Sequence, residues 1–260
     1  MAKTIAVAGK GGVGKTTIAA LIIQELVDRR CSVLAVDADP SSNLHEALGL
    51  PLTETVGDVR EEMLTITKAG KFPVGMAKQD YLDMKIQQLL IETAHGLDLL
   101  VMGRPEGPGC YCAANNMLRR CIDEMTRGYN FVVIDNEAGL EHLSRQTTRD
   151  VDVLIIVTDP TVKGITAAGR VKQVVSELRT WVGKTGLVVN RAKEDALSPS
   201  LREAIATAGL AEPVALVPEN PDIGAIDAAG GAVVQLASDH PVRQSVADLA
   251  RALGIISGSE

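Results

Sequence analysis

Short runs that are apolar at nearly every position recur along the chain, at Thr4–Ala8, Ser32–Val36, Leu97–Met102, Phe131–Ile134, Val153–Val157, Gly186–Val189 and Val214–Val217. Between them apolar residues fall at helical spacing: Thr17–Arg29, Lys78–Glu92, Ala113–Arg127, Ile165–Leu178, Pro199–Ala208 and Pro241–Leu253. A strand without polar alternation is buried on both faces, as in a parallel sheet sandwiched by helices. The alternation therefore predicts an α/β fold: a doubly wound, mostly parallel sheet with helices on both faces. No repeat, low-complexity tract or linker divides the chain, so residues 1–260 are expected to form a single domain. Pro51 to Phe72 is the least periodic stretch and reads as an excursion from the sheet.

Chemistry concentrates where the first strand meets the first helix. Gly9 through Thr16 satisfy G-x-x-x-x-G-K-[ST], the phosphate-binding loop. Gly11, Gly12 and Gly14 let backbone N–H groups, Val13 among them, converge on phosphate oxygens where side chains would collide. The helix opening near Thr16 and Thr17 points its positive end at the same oxygens. Lys15 is expected to neutralise the β- and γ-phosphates, and the Thr16 hydroxyl to ligate Mg²⁺. Gly9, Gly11 and Gly14 also spell the dinucleotide pattern G-x-G-x-x-G, with Asp37 at a fitting distance. That reading gives no role to Lys15-Thr16 and does not predict the second acid-terminated strand at Asp135.

Two strands end in carboxylates. Val36-Asp37-Ala38-Asp39-Pro40 places Asp37 to support Mg²⁺ through a water and Asp39 to orient or deprotonate the attacking water. The competing reading makes Asp37 a cap for the following turn and Asp39 a solvated loop acid. Phe131-Val132-Val133-Ile134-Asp135 supplies the second acid, placed to hold the Mg²⁺ hydration shell. Gly139 follows, at a spacing suited to a switch pivot sensing the γ-phosphate, the alternative being an ordinary loop glycine.

Composition narrows the partners. Acidic residues outnumber basic ones 33 to 26, for a net charge of −7, and aromatics are 2%. Both argue against a nucleic-acid partner. No apolar run reaches the length of a membrane span, so no membrane partner is expected. Four cysteines without secreted spacing indicate a reducing cytoplasm. Two of them, Cys110 and Cys112, lie just before the helix expected from Ala113, whose N-terminus favours thiolate. Thiolates one residue apart can grip one soft ion such as Ni²⁺ or Zn²⁺, leaving it half-coordinated. A two-fold homodimer would complete four sulfurs. The alternative is a pair of small, partly buried thiols. Cys31 and Cys121 read as inert core thiols, and His142 as solvated or capping, with a metal or partner contact as the alternative.

Lys10-Gly11-Gly12-Val13-Gly14-Lys15-Thr16-Thr17 resembles the deviant Walker A loop of the MinD/ParA and nitrogenase iron protein family. The resemblance implies ATP hydrolysed to ADP by a homodimer in which Lys10 acts across the interface, catalytic together with Lys15 and Asp39. Leu187-Val188-Val189-Asn190-Arg191 resembles the family's adenine-recognition strand end, and Leu216-Val217-Pro218-Glu219 the segment against the base's other side. Gly-Pro-Gly-Cys110-Tyr111-Cys112, with Asp135-Asn136-Glu137-Ala138-Gly139, resembles the CooC-type branch of nickel-insertion ATPases. That implies a metallochaperone for apo carbon monoxide dehydrogenase, or for acetyl-CoA synthase in a sister branch. Two rivals stand beside it: an iron–sulfur redox ATPase like the nitrogenase iron protein, and a MinD/ParA-type positioning ATPase.

Overall fold

The computed structural model describes residues 2–103, 123–136, 150–177, 181–193 and 196–257. Its strands are β1 (Lys3–Gly9), β2 (Val33–Ala38), β3 (Ile91–Glu92), β4 (Leu97–Val101), β5 (Phe131–Asn136), β6 (Asp150–Thr158), β7 (Trp181–Ala192) and β8 (Ala215–Pro218). They form one sheet in the order β3-β4-β2-β5-β1-β6-β7-β8. Every pair is parallel except β3 with β4. The chain passes from β1 to β2 on one side of the sheet and from β5 to β6 on the other, so the adjacent carboxyl ends of β1 and β5 mark the switch point where such sheets bind ligands.

The helices are α1 (Lys15–Asp28), α2 (Leu44–Leu48), α3 (Val56–Lys68), α4 (Lys78–Leu89), α5 (Val162–Glu177), α6 (Pro199–Thr207), α7 (Pro221–Ala228) and α8 (Pro241–Ala252). They divide between two cores. Ile5, Val7, Val133 and Ile155 face α1 and α8, meeting Ile18, Leu21, Ile22, Val246 and Leu249. Ala6, Ala8, Ile134 and Ile156 face the opposite way, toward Leu82 and Ile86 of α4 and Ile165 and Ala168 of α5. This double burial is why β1 is apolar at successive positions.

Two sequence expectations need correction, and the excursion from the sheet gains a helix. The helix expected to reach Glu92 stops at Leu89, because Leu90 is extended (φ −65°, ψ 119°). Ile91 and Glu92 instead pair antiparallel with Leu99 and Asp98 at the sheet's edge. The aperiodic stretch after Pro51 contains α3, opened by a capping box in which Thr55 and Asp58 exchange side-chain and backbone hydrogen bonds. Cys31, expected in the core, is half-buried ahead of β2. Most of the helix expected over Ala113–Arg127, with Cys121, lies outside the described residues, and Thr126–Gly128 is a 3₁₀ turn.

Candidate functional site

The loop between β1 and α1 is built on glycine geometry. Gly9, Gly12 and Gly14 hold positive φ values of 155°, 77° and 90°. A β-carbon on Gly9 would lie 2.2 Å from the Val157 carbonyl oxygen, and one on Gly14 2.3 Å from Asn190 Nδ2. Gly14 is the N-cap of α1 and supplies no side-chain cap. The free N–H groups of the first turn thus face the loop, as a phosphate requires. Val13 is buried while Lys10, Gly11 and Gly12 are exposed; Gly14, Thr16 and Thr17 are half-buried. Lys15 is buried, and its ammonium turns back to the Lys10 carbonyl at 3.4 Å, a long and weak contact that a phosphate can replace.

The two strand-end acids are neighbours, with Asp37 in register with Asp135. Asp37 is fully buried, and both its oxygens are taken: Oδ1 accepts from the Asp39 amide at 3.1 Å and Oδ2 from the Leu44 amide at 2.9 Å. Burial nevertheless pushes its pKa up to about 6, against the lowering effect of those two amides. Asp135 accepts from Thr16 Oγ1 at 2.6 Å through Oδ2 alone. Its Oδ1 is buried with no partner among the described residues. Burial raises its pKa to about 7, and nearby Asp37 and Asp39 add to the rise while Thr16 and Lys15 oppose it. Asp39 is half-buried and caps its own turn, accepting from the Ser41 amide at 2.8 Å.

The capping role read as an alternative for Asp37 is therefore what its contacts show. An orphaned acceptor on Asp135, a hydroxyl beside it and an uncapped glycine-rich turn fit a Mg²⁺-bound phosphate chain. Thr16 and Asp135 are the residues that would hold the cation.

On the base side, Asn190 is buried and its Nδ2 donates to the Val13 carbonyl at 2.8 Å. One donor of the amide expected to read adenine is thus committed to the phosphate loop. Arg191 is exposed in a left-handed conformation (φ 58°), beside the irregularity where β7 leaves its register with β8. Pro218 pairs with Ala192, and Glu219 returns its N–H to the Ala192 carbonyl at 2.9 Å. Asn190, Pro218 and Glu219 thus belong to the paired carboxyl ends of β7 and β8.

The sequence reading missed two groups. Asn136, fully buried, donates to the Val7 carbonyl at 3.1 Å, tying β5 to β1, while its Oδ1 has no partner among the described residues. His45 carries a buried Nδ1 with no partner among the described residues. It lines a cleft of about 920 Å³ that also includes Thr16, Thr17, Asn43, Glu46 and Asp227. His45 has no motif around it; Asn136 stands in the Asp135–Gly139 motif, which gave it no role of its own. Gly139, His142, Cys110 and Cys112 lie outside the described residues. No cluster of three His, Cys, Asp or Glu side chains suited to a metal occurs among the described ones.

Three comparisons bear on this site. The model of the CobQ/CobB/MinD/ParA nucleotide-binding domain matches residues 4–233. An uncharacterized ATP-binding protein of Methanocaldococcus jannaschii is 51% identical over 191 residues, 74% of this chain and 75% of the relative. The carbon monoxide dehydrogenase accessory protein CooC of Rhodospirillum rubrum is 33% identical over 186 residues, 67% of this chain and 69% of the relative. Among solved structures, the septum site-determining protein MinD of Pyrococcus horikoshii, complexed with Mg-ADP, superposes with a TM-score of 0.69 at 22% identity. That match covers 99% of this chain and 98% of the other.

Proposed function

Because the chain belongs to the CobQ/CobB/MinD/ParA nucleotide-binding domain family and is an ATP-binding P-loop ATPase, we propose that it couples ATP hydrolysis to delivery of a soft metal ion. Nickel is the cargo and zinc its competitor, since thiolates accept both. The recipient is an apo carbon monoxide dehydrogenase, or acetyl-CoA synthase, and the working unit is a homodimer. The carrying observation is the Cys110-Tyr111-Cys112 motif in a chain 33% identical to a carbon monoxide dehydrogenase accessory protein. Two copies bring four thiolates, the number a tetrahedral soft ion takes.

Each residue's part in hydrolysis comes from its chemistry. Amides of Gly11 through Thr17 receive the phosphate oxygens, and the Lys15 ammonium leaves the Lys10 carbonyl to balance their charge. Mg²⁺, when bound, supplies charge compensation on the β- and γ-phosphates. Thr16 and Asp135 position it, while Asp39 orients the attacking water. Asn190 and Arg191 on one side, and Pro218 and Glu219 on the other, flank the base. Lys10 of a second copy reaches the γ-phosphate, and Gly139 gives the backbone that senses its departure.

The Cys110→Ser/Cys112→Ser double variant tests the cargo. Metal analysis after nickel or zinc loading is expected to fall from one ion per dimer to background, with ATP binding retained; unchanged stoichiometry sinks the reading. Lys10→Ala is expected to keep nucleotide affinity and lose most turnover. Turnover equal to wild type removes the second copy from the mechanism.

A further inference from the structure

A helical hairpin stands at one side of the sheet. Near its base, Gly57 of α3 donates to the Met102 carbonyl just beyond β4, at 2.9 Å. α4 returns toward the sheet and buries Leu82 and Ile86 in the main core. Farther out the hairpin has a small core of its own, Met63 and Tyr81 with Ile66 and Phe72. The Phe72 ring meets Tyr81 edge-on at 5.3 Å, and Lys85 lies over the same tyrosine while pairing with Glu62 at 2.8 Å. These contacts fix the connecting segment, residues 69–77, as a supported tip.

That tip is apolar and cationic at once. Pro73, Val74, Gly75, Met76 and Ala77 are all exposed, Val74 completely. Of the five exposed large apolar side chains among the described residues, Val74, Met76 and Met84 lie on this hairpin. Singly scattered apolar residues need no explanation, but a cluster on one projection does. Lys68, Lys71 and Lys78 bracket it, all exposed. No acid occurs in sequence between Glu62, which Lys85 holds, and Asp80 in the first turn of α4. On a chain of net charge −7, this is a local reversal of sign.

Convexity selects the occupant. A folded protein could receive this tip only through a matching concave apolar pocket with a carboxylate rim. A bilayer interface deforms around it, takes apolar side chains to the acyl boundary and leaves ammonium groups among anionic headgroups. We propose that the α3–α4 tip makes reversible contact with an anionic lipid surface. A single small apolar insertion reinforced by three lysines gives weak attachment, sensitive to salt. This contact is independent of the metal cargo.

Flotation of the full chain with phosphatidylglycerol-containing vesicles, and with pure phosphatidylcholine vesicles, tests the proposal. Wild type is expected to float with the anionic vesicles at low ionic strength, to be released by high salt, and to ignore phosphatidylcholine. Each lysine near an anionic surface is worth about fivefold in partitioning. The variant K68E/K71E/K78E should therefore lose at least about a hundredfold, and Val74→Asp a smaller but measurable factor. ATP turnover should stay at the wild-type level in both, which certifies the fold. The proposal is overturned by wild type that stays with the buffer, by variants that float as well as wild type, or by equal binding to both lipids. Wild type that ignores vesicles yet cross-links through residues 71–76 to purified apo carbon monoxide dehydrogenase overturns it too, and gives the tip to a protein.

Discussion

Asp37 and Asp135 end neighbouring strands in the same register, are equally hidden from solvent, and close equally apolar runs. Their surroundings nevertheless separate them. Asp37 is met by two amides of the turn it precedes, at 3.1 and 2.9 Å, so each of its oxygens has a partner within the fold. Asp135 is met by one hydroxyl, and its second oxygen is left without a partner among the described residues. An acid closing a buried strand is therefore an ambiguous sign. The path of the chain beyond the acid decides whether it caps or binds: after β2 the backbone turns sharply into α2, and Leu44 N–H comes back to Asp37. Burial raises both pKa values, so pKa alone would not distinguish them.

The sharpest way to break this contrast is to remove the cap. Asp37→Ala strands one buried and one half-buried N–H group, at about 1–3 kcal/mol for the buried one and less for the other, and relief of the buried charge offsets part of that. A net loss of roughly 1–3 kcal/mol is expected in urea unfolding. A loss too small to measure means that Asp37 is not structural.

Asp135→Asn should behave in the opposite sense. It keeps an acceptor for Thr16 but loses the charge that faces the cation, a supporting interaction worth about 10–100-fold in turnover. Its unfolding midpoint should equal or exceed wild type above neutral pH, because a costly buried carboxylate is gone. Turnover and unfolding measured on the same two variants should therefore exchange rank. Loss of both properties in both variants erases the distinction.

The layered architecture was readable because doubly buried strands carry no polar alternation, and β1, β2 and β5 have none. The phosphate loop was readable because Gly14 and Gly9 are constrained by contacts closer than a β-carbon permits. Other features depend on partners far along the chain. The Asn190–Val13 hydrogen bond joins residues 177 positions apart, and it commits one amide donor of the expected base reader to the loop. α3 escaped although Val56, Val59 and Met63 fall at helical spacing and its Thr55–Asp58 capping box was a local signal. β3 is two residues long and owes its conformation to the edge of β4.

The finest test uses pH. An unfolded aspartate titrates near its ordinary value of 3.8, whereas burial in the folded metal-free protein pushes Asp37 up to about 6 and Asp135 up to about 7. Between those limits the folded state holds more protons than the unfolded one, so stability contributed by these groups falls as pH rises and levels off once both are ionised. Urea midpoints of the metal-free protein should register a decline attributable to this pair from about pH 4 to about pH 7. Asp135→Asn should remove the part nearest neutrality and leave the part that belongs to Asp37. Mg²⁺ with nucleotide should flatten the same upper part in wild type alone, because a cation at the open oxygen favours the ionised form. If the variant keeps the full slope, Asp135 does not carry the neutral-range titration, and the open oxygen loses its claim as the cation's partner.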